Sequence, residues 1–205
     1  MNKIVIKDNL FENGKDNIKS SLMGSNVIVY PTDTAYALGV NVLDNKAVSK
    51  LLLYKGKRGS KSFSIMVSDI NMAKEFVYIN LKQEQFIEKY KDKGLTVILK
   101  YKNHLDNTAR YIVHNNSVAV RFSNIAFIKD LISTLGFPIT ATSANISFGD
   151  TPYSIDDLIK NTPKEKLDMI SYIIDIGIID SGNVSTIIDI RNVPFKIIRQ
   201  GVLKI

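Results

Sequence analysis

Short apolar runs alternate along the chain with stretches in which apolar residues recur every three or four positions. The runs NVIVY (26–30), SFSIMVS (62–68), LTVILKY (95–101), SVAVRF (117–122), FPITATS (137–143), YIIDIG (172–177), STIIDI (185–190) and FKIIRQ (195–200) predict strands. Each is short, rich in β-branched or aromatic residues and bounded by turn formers. The helical spacing predicts helices over NGKDNIKSSLMG (13–24), DNKAVSKLLLYK (44–55), SDINMAKEF (68–76), LKQEQFIEKY (81–90), SNIAFIKDLISTLG (123–136) and SIDDLIKN (154–161). Asp44 is placed to cap the second of these, Ser68 or Asp69 the third, and Ser123 or Asn124 the fifth, which Gly136 closes.

Strands mixed with helices, with no long linker, repeat or low-complexity tract, predict an α/β fold: a single domain over residues 1–205 with a twisted mixed sheet flanked by helices. The strands late in the chain follow one another closely, which predicts antiparallel pairs there.

The polar groups at the strand ends carry the first functional signal. VIVY runs into Pro31-Thr32-Asp33-Thr34, SVAVRF carries Arg121, and FPITAT runs into Ser143-Ala144-Asn145. Ser185 opens STIIDI, and FKII ends in Arg199-Gln200-Gly201. Ligands of open α/β sheets sit in the crevice beyond the strand ends, where such groups converge. Turn and cap chemistry accounts for any one of them; five together point to a site.

Between the second predicted helix and the second strand, Lys55, Lys57, Arg58 and Lys61 place four cations within seven residues, spaced by glycines. A solvated basic loop and a phosphate-binding loop both fit that pattern. Neither a G-x-x-x-x-G-K-[ST] P-loop nor a G-x-G-x-x-G turn occurs, so a nucleotide would be held by another design.

Composition narrows the chemistry. The 205 residues are 45% hydrophobic and 23% charged, which suits a globular fold. No apolar run has the length of a membrane span, and the charged N-terminus does not read as a signal peptide, so a cytoplasmic location without a membrane partner is expected. Cysteine is absent, which excludes disulfides, thiolate metal sites and a thiol nucleophile. The only histidines, His104 and His114, lie in polar stretches and read as surface residues. No catalytic nucleophile and no protein-held metal are expected. The formal charge of +7 fits a lysine-rich surface, or attraction to nucleotide phosphates or RNA.

Seven stretches in order, VIVYPTDTAYALG, KGKRGSK, GLTVILK, SVAVRFS, FPITATSANIS, STIIDI and IIRQG, resemble the motifs of the TsaC/YrdC threonylcarbamoyl-adenylate synthases. The likeness spans about residues 15–203 and suits the short, single-domain form. It implies a twisted α/β sheet around a positively charged cleft. The implied reaction joins L-threonine, bicarbonate (or CO2) and ATP, normally with Mg2+, into threonylcarbamoyl-AMP and pyrophosphate. A separate threonylcarbamoyl transferase complex then modifies tRNA, and direct binding of tRNA or another structured RNA is a further partner expectation. Carried over by position, Thr34, Arg121, Ser143 and Ser185 face threonine, with Arg121 forming a bidentate pair with its carboxylate. Lys57 and Lys61 meet the ATP phosphates, Ser117, Asn145 and Arg199 complete the nucleotide site, and Thr32 and Lys55 are second contacts. The chemistry asks for positioning and charge neutralisation rather than an enzyme nucleophile.

The chain departs from that pattern in several places. Lys57-Arg58 stands where Arg-Pro is usual, Lys93-Gly94-Leu95 replaces Pro-Gly-Pro and implies a looser loop, and Met66 stands where some members have histidine. FGDTPYS (148–154) holds an extra residue, which leaves its nucleotide contact unplaced. YALG (36–39) resembles the paralogous YciO-like branch, so a module binding structured RNA in the same cleft without synthase activity is the alternative. A carbamoyl-adenylate-forming relative is opposed by the absence of cysteine.

Overall fold

The computed structural model describes residues 2–5, 12–57, 62–102, 105, 109–180 and 182–205, with side chains from residue 14 on except residue 109. In chain order these form β1 (Asn2–Val5), α1 (Glu12–Met23), β2 (Val27–Pro31), β3 (Tyr36–Gly39), α2 (Asn45–Lys55), β4 (Ser64–Val67), α3 (Ile70–Phe76), β5 (Val77–Tyr78), α4 (Leu81–Tyr90) and β6 (Leu95–Tyr101). There follow α5 (Ala109–Ile112), β7 (Val113–His114), β8 (Ser117–Phe122), α6 (Ala126–Leu135), β9 (Ile139–Ser143), α7 (Ile155–Asn161), α8 (Lys164–Leu167), β10 (Ile170–Asp175), β11 (Thr186–Asp189) and β12 (Lys196–Arg199).

The strands form one mixed sheet in the order β1-β10-β2-β3-β9-β4-β8-β6-β11-β12, with β5 on β6 and β7 on β8. Among the late strands only β11 and β12 form the expected antiparallel pair; β10 runs parallel to both β1 and β2. The reason is burial. Its apolar Ile170, Ile173 and Ile174 are covered on insertion between two strands, and the preceding α7 and α8 supply a crossover.

β2 is buried along its whole length, which suits a central strand with a continuous apolar run. Its last residue, Pro31, has no N–H to give the ladder and stands where the chain leaves the sheet. The turn into β3 is closed by Thr32. Its hydroxyl donates to the Ala35 carbonyl at 2.7 Å and accepts from the Thr34 and Ala35 amides at 3.2 and 3.1 Å. Gly39 lies against the ring of Tyr30, where a Cβ would stand 3.0 Å from Cε1.

Helix ends follow their side chains. Asp44 caps α2 by accepting from the Lys46 and Ala47 amides, Asp69 caps α3, and Asn80 and Gln83 form a reciprocal capping box on α4. α6 differs from expectation: its N-cap is Ile125, with no side-chain cap, because Ser123 bonds Ile125 instead of the first helical turn. Gly136 ends α6 in the left-handed region, as expected. Among the described residues, no helix is long and apolar enough to cross a membrane.

Candidate functional site

The alternation of side chains along each strand builds the site. In β8, Val118, Val120 and Phe122 point into the core while Ala119 and Arg121 face a cavity. In β6, Val97 and Leu99 are buried in the core while Thr96 and Ile98 face the same cavity. Ala141 and Ser143 of β9, Ser185 and Ile187 in and just before β11, and Ala37 of β3 continue that lining. Small residues at these positions leave a hollow of about 710 Å³, in the range of small-molecule sites.

Three cationic side chains, Lys55, Arg121 and Arg199, line the cavity, and no carboxylate does so among the described residues. Arg121 is buried; its Nη2 donates to Asp33, and to Thr34 Oγ1 at 2.6 Å. Its Nε is buried and without a hydrogen-bond partner. The open fork expected for a carboxylate is therefore partly occupied: Asp33 and Thr34 take Nη2, while Nε and the two N–H groups of Nη1 remain. Arg199 grips Ser185, with Nε and Nη2 donating to its carbonyl at 3.1 and 2.8 Å and Nη2 to Oγ at 2.9 Å. Thr96 adds a hydroxyl contact to the same Oγ at 2.8 Å. Burial and the nearby Arg121 guanidinium push the pKa of Arg199 downward, so two cations share one hollow.

The segment after β9 forms a second wall. Lys55, at the C-terminal end of α2, is buried and donates from Nζ to the carbonyls of Ser143 and Asn145 at 2.9 and 2.6 Å. It also donates to Asn145 Oδ1 at 2.9 Å. Ser143 Oγ bonds the same Oδ1 at 2.6 Å, and Asn145 Nδ2 donates to the Gly149 carbonyl. The amide of Ser147 returns to the Lys55 carbonyl at 3.0 Å. Ser147 lines the cavity, and its Oγ is buried without a partner.

The cavity thus brings together Thr32, Thr34, Lys55, Arg121, Ser143, Asn145, Ser185 and Arg199. Thr32 and Lys55 spend their polar groups inside the protein, closing a turn and bracing a loop. Lys57 is exposed and does not line the cavity, and Lys61 lies outside the described residues, as do Arg58 and His104. Ser117 is buried at the far end of β8 from Arg121, where its hydroxyl donates to the His114 carbonyl at 2.6 Å and holds the β7–β8 turn. His114 is exposed at the cavity rim. Met66 is core, on β4. The loop of Lys93-Gly94-Leu95 is held rather than loose. The Gly94 carbonyl accepts from the Thr186 amide at 2.9 Å, and a Cβ on Gly94 would overlap Val202.

Sequence reasoning missed Asp33, Thr96 and Ser147. Thr96 is signalled by a single polar residue on the alternation of β6. Asp33 stands in the polar cluster after β2, but its partner Arg121 comes from a distant strand, and the burial of the unpartnered Ser147 hydroxyl leaves no local pattern.

Residues 21–201 match the model of a family described as telomere recombination, Sua5/YciO/YrdC. The chain belongs to this family. It is 32% identical over 188 residues to a putative threonylcarbamoyl-AMP synthase of Methanocaldococcus jannaschii, covering 92% of this chain and 86% of that one. A threonylcarbamoyl-AMP synthase of Wigglesworthia glossinidia brevipalpis is 29% identical over 186 residues, 90% of this chain and 92% of its own. Among solved structures, P. abyssi Sua5 complexed with L-threonine superposes with a TM-score of 0.88 at 25% identity. That match covers 98% of this chain and 58% of the Sua5 chain, so the family fold here spans little more than half of that protein's length. E. coli YciO has a TM-score of 0.84 at 20% identity, over 99% of this chain and 96% of that one, and shares the fold.

Proposed function

We propose that this protein is an L-threonylcarbamoyladenylate synthase, a nucleotidyltransferase that uses ATP, L-threonine and bicarbonate or CO2. The observation that carries the proposal is the pair of buried, unpartnered donors, Arg121 Nε and Ser147 Oγ. They are the only such side-chain atoms among the described residues, and both belong to residues that line the cavity. A buried polar group without a partner costs about 1–3 kcal/mol, so two of them in a cationic hollow favour a ligand that accepts hydrogen bonds and carries negative charge. Threonine carboxylate, carbamate and phosphate all qualify. The curated relatives, named as synthases of threonylcarbamoyl-AMP, support the same reading.

In this scheme the threonine nitrogen attacks the carbon of CO2 and loses a proton, giving a carbamate. A carbamate oxygen then attacks the α-phosphorus of ATP, and pyrophosphate leaves. The Arg121 guanidinium, with Thr34, Ser143 and Ser185 in the same cavity lining, orients the amino acid. Arg199, Asn145 and Ser147 hold the nucleotide side, with Lys57 and Lys61 of the basic loop meeting the outer phosphates. Neutralisation of developing charge in a water-poor hollow supplies the catalysis and protects the carbamate. The donor set does not fit a resident Mg2+. No group of three ligating side chains occurs among the described residues, and Asp33 is paired with Arg121. Mg2+ therefore enters as part of the substrate, on the ATP phosphates.

We place the reaction in the cytoplasm, with the adenylate passed to a transferase complex that modifies tRNA. The test is pyrophosphate release by purified protein with ATP and Mg2+. It is expected only when threonine and bicarbonate are both present; turnover indifferent to threonine overturns the reading.

A further inference from the structure

The rim of the cavity differs chemically from its floor. Lys55, Arg121, Thr34, Thr96 and Ser185 are buried and supply its cations and hydroxyls, whereas Phe148 and Ile198 line the opening, 79% and 58% exposed, beside the exposed Arg199. Other side chains as exposed, Leu81 and Ile178, lie away from the cavity. Phe148 is also held in an uncommon way. Its φ is +72°, in the left-handed region that disfavours a residue with a Cβ, although glycine follows immediately at position 149. The flanking backbone is fixed by the Ser147 amide to Lys55, the Gly149 amide to Ile146, and Asn145 Nδ2 to the Gly149 carbonyl. A fixed loop, an unfavourable backbone angle and an aromatic ring at the mouth of a cationic hollow coincide at one residue.

From this we infer that Phe148 is the platform on which the adenine base stacks, with the phosphates running inward to the cationic floor. The inference rests on the ATP reading above and places a contact in the segment 148–154, where sequence alone places none. A nucleoside triphosphate has a flat, weakly hydrated head and an anionic tail, which matches an apolar rim over a charged floor. The ring of Phe148 offers a π face to the base, and the pinned loop removes the entropy of ordering it on binding. Ile198, at the end of β12 beside Arg199, adds an aliphatic surface to the same opening.

The chain contains no tryptophan, so Phe148→Trp places a single tryptophan at the rim, which is excited at the red edge apart from the nine tyrosines. ATP is expected to quench its emission in a saturable way, with a midpoint matching the Kd from calorimetry. Inorganic tripolyphosphate, which has the charge without the base, is expected to leave the emission unchanged. In the unlabelled protein, Phe148→Ala is expected to weaken ATP binding roughly five- to a hundredfold, the range found for loss of a base–aromatic stack. Tripolyphosphate and threonine binding should stay as they were, and Phe148→Tyr should restore ATP affinity. Phe148→Gly should raise the melting temperature by relieving the backbone while still weakening ATP, a split that a purely structural role would not produce. ATP binding by calorimetry with unchanged tryptophan emission overturns the stacking role alone. Failure of the wild-type protein to bind ATP overturns the synthase reading and this inference with it.

Discussion

Replacing Lys55 with methionine separates bracing from phosphate contact. The ammonium is buried at 2% exposure and donates to the carbonyls of Ser143 and Asn145 and to Asn145 Oδ1. Methionine keeps most of the stem and removes all three donors. Asn145 Oδ1 retains the hydroxyl of Ser143, so the two carbonyls bear the loss. At about 1–3 kcal/mol for each acceptor left wanting, and with the desolvation cost of the ammonium relieved in part, the net expectation is ~2–4 kcal/mol. For a chain of this size each kcal/mol moves the melting temperature by about 2–4 °C, so a fall of ~4–16 °C is expected. The assay is a thermal melt by circular dichroism, paired with calorimetric titration of ATP and of threonine at low temperature. Because the braced segment carries Ser143, Asn145 and Ser147, both ligands should weaken together. A melting temperature within about 1 °C of wild type, with ATP affinity alone falling tenfold or more, would refute the bracing role and make Lys55 a direct phosphate contact.

Arg121→Lys keeps a cation near Asp33 but removes Nε, so threonine KM should rise roughly tenfold or more with ATP affinity largely held; equal losses for both ligands would count against the carboxylate role. Ser147→Ala removes a hydroxyl that has no partner in the folded protein, so the melting temperature should hold or rise while ligand affinity falls severalfold. A marked loss of stability in that variant would instead give Ser147 a structural role. In Gly201→Ala the new Cβ would overlap the Val184 and Ser185 backbone, prying the end of β12 from β11; a loss of about 1–3 kcal/mol or more is expected by denaturant unfolding, and Arg199 should release Ser185. Unchanged stability would mean that the segment accommodates the methyl group by a small shift.

Most of the fold was legible because its elements are locally encoded. β6 and β8 stand out by the clean alternation of their residues, and α2 and α3 by the aspartates that cap them. β3 was not, since YALG is too short and too uniformly apolar to distinguish a strand from the continuation of β2; only its pairing between β2 and β9 defines it. The parallel placement of β10 was also hidden, because the choice of neighbours is made by burial across the whole sheet. At the site, the clustering of hydroxyls and arginines at strand ends was visible, but the division of labour was not. Whether a threonine hydroxyl closes a turn, as that of Thr32 does, or accepts from Arg121, as that of Thr34 does, depends on a backbone path that no local pattern reveals. Asp33 shows the same limit: its partner, Arg121, comes from a strand 88 positions away.

The alternation that builds the cavity also restricts how the chain can change in length. Inserting or deleting one residue before Arg121 within β8 would exchange the two faces of the strand, sending the guanidinium into the core and a phenyl or valine side chain into the hollow. The same holds for Thr96 on β6, whose place in the hollow a leucine or valine would take. Length variation among descendants of this sequence must therefore fall outside the strands, in segments such as 148–154, where an added residue alters the rim and leaves the floor intact. New ligand preferences can be tried at the mouth of the cavity by insertion, whereas the floor can change only by substitution.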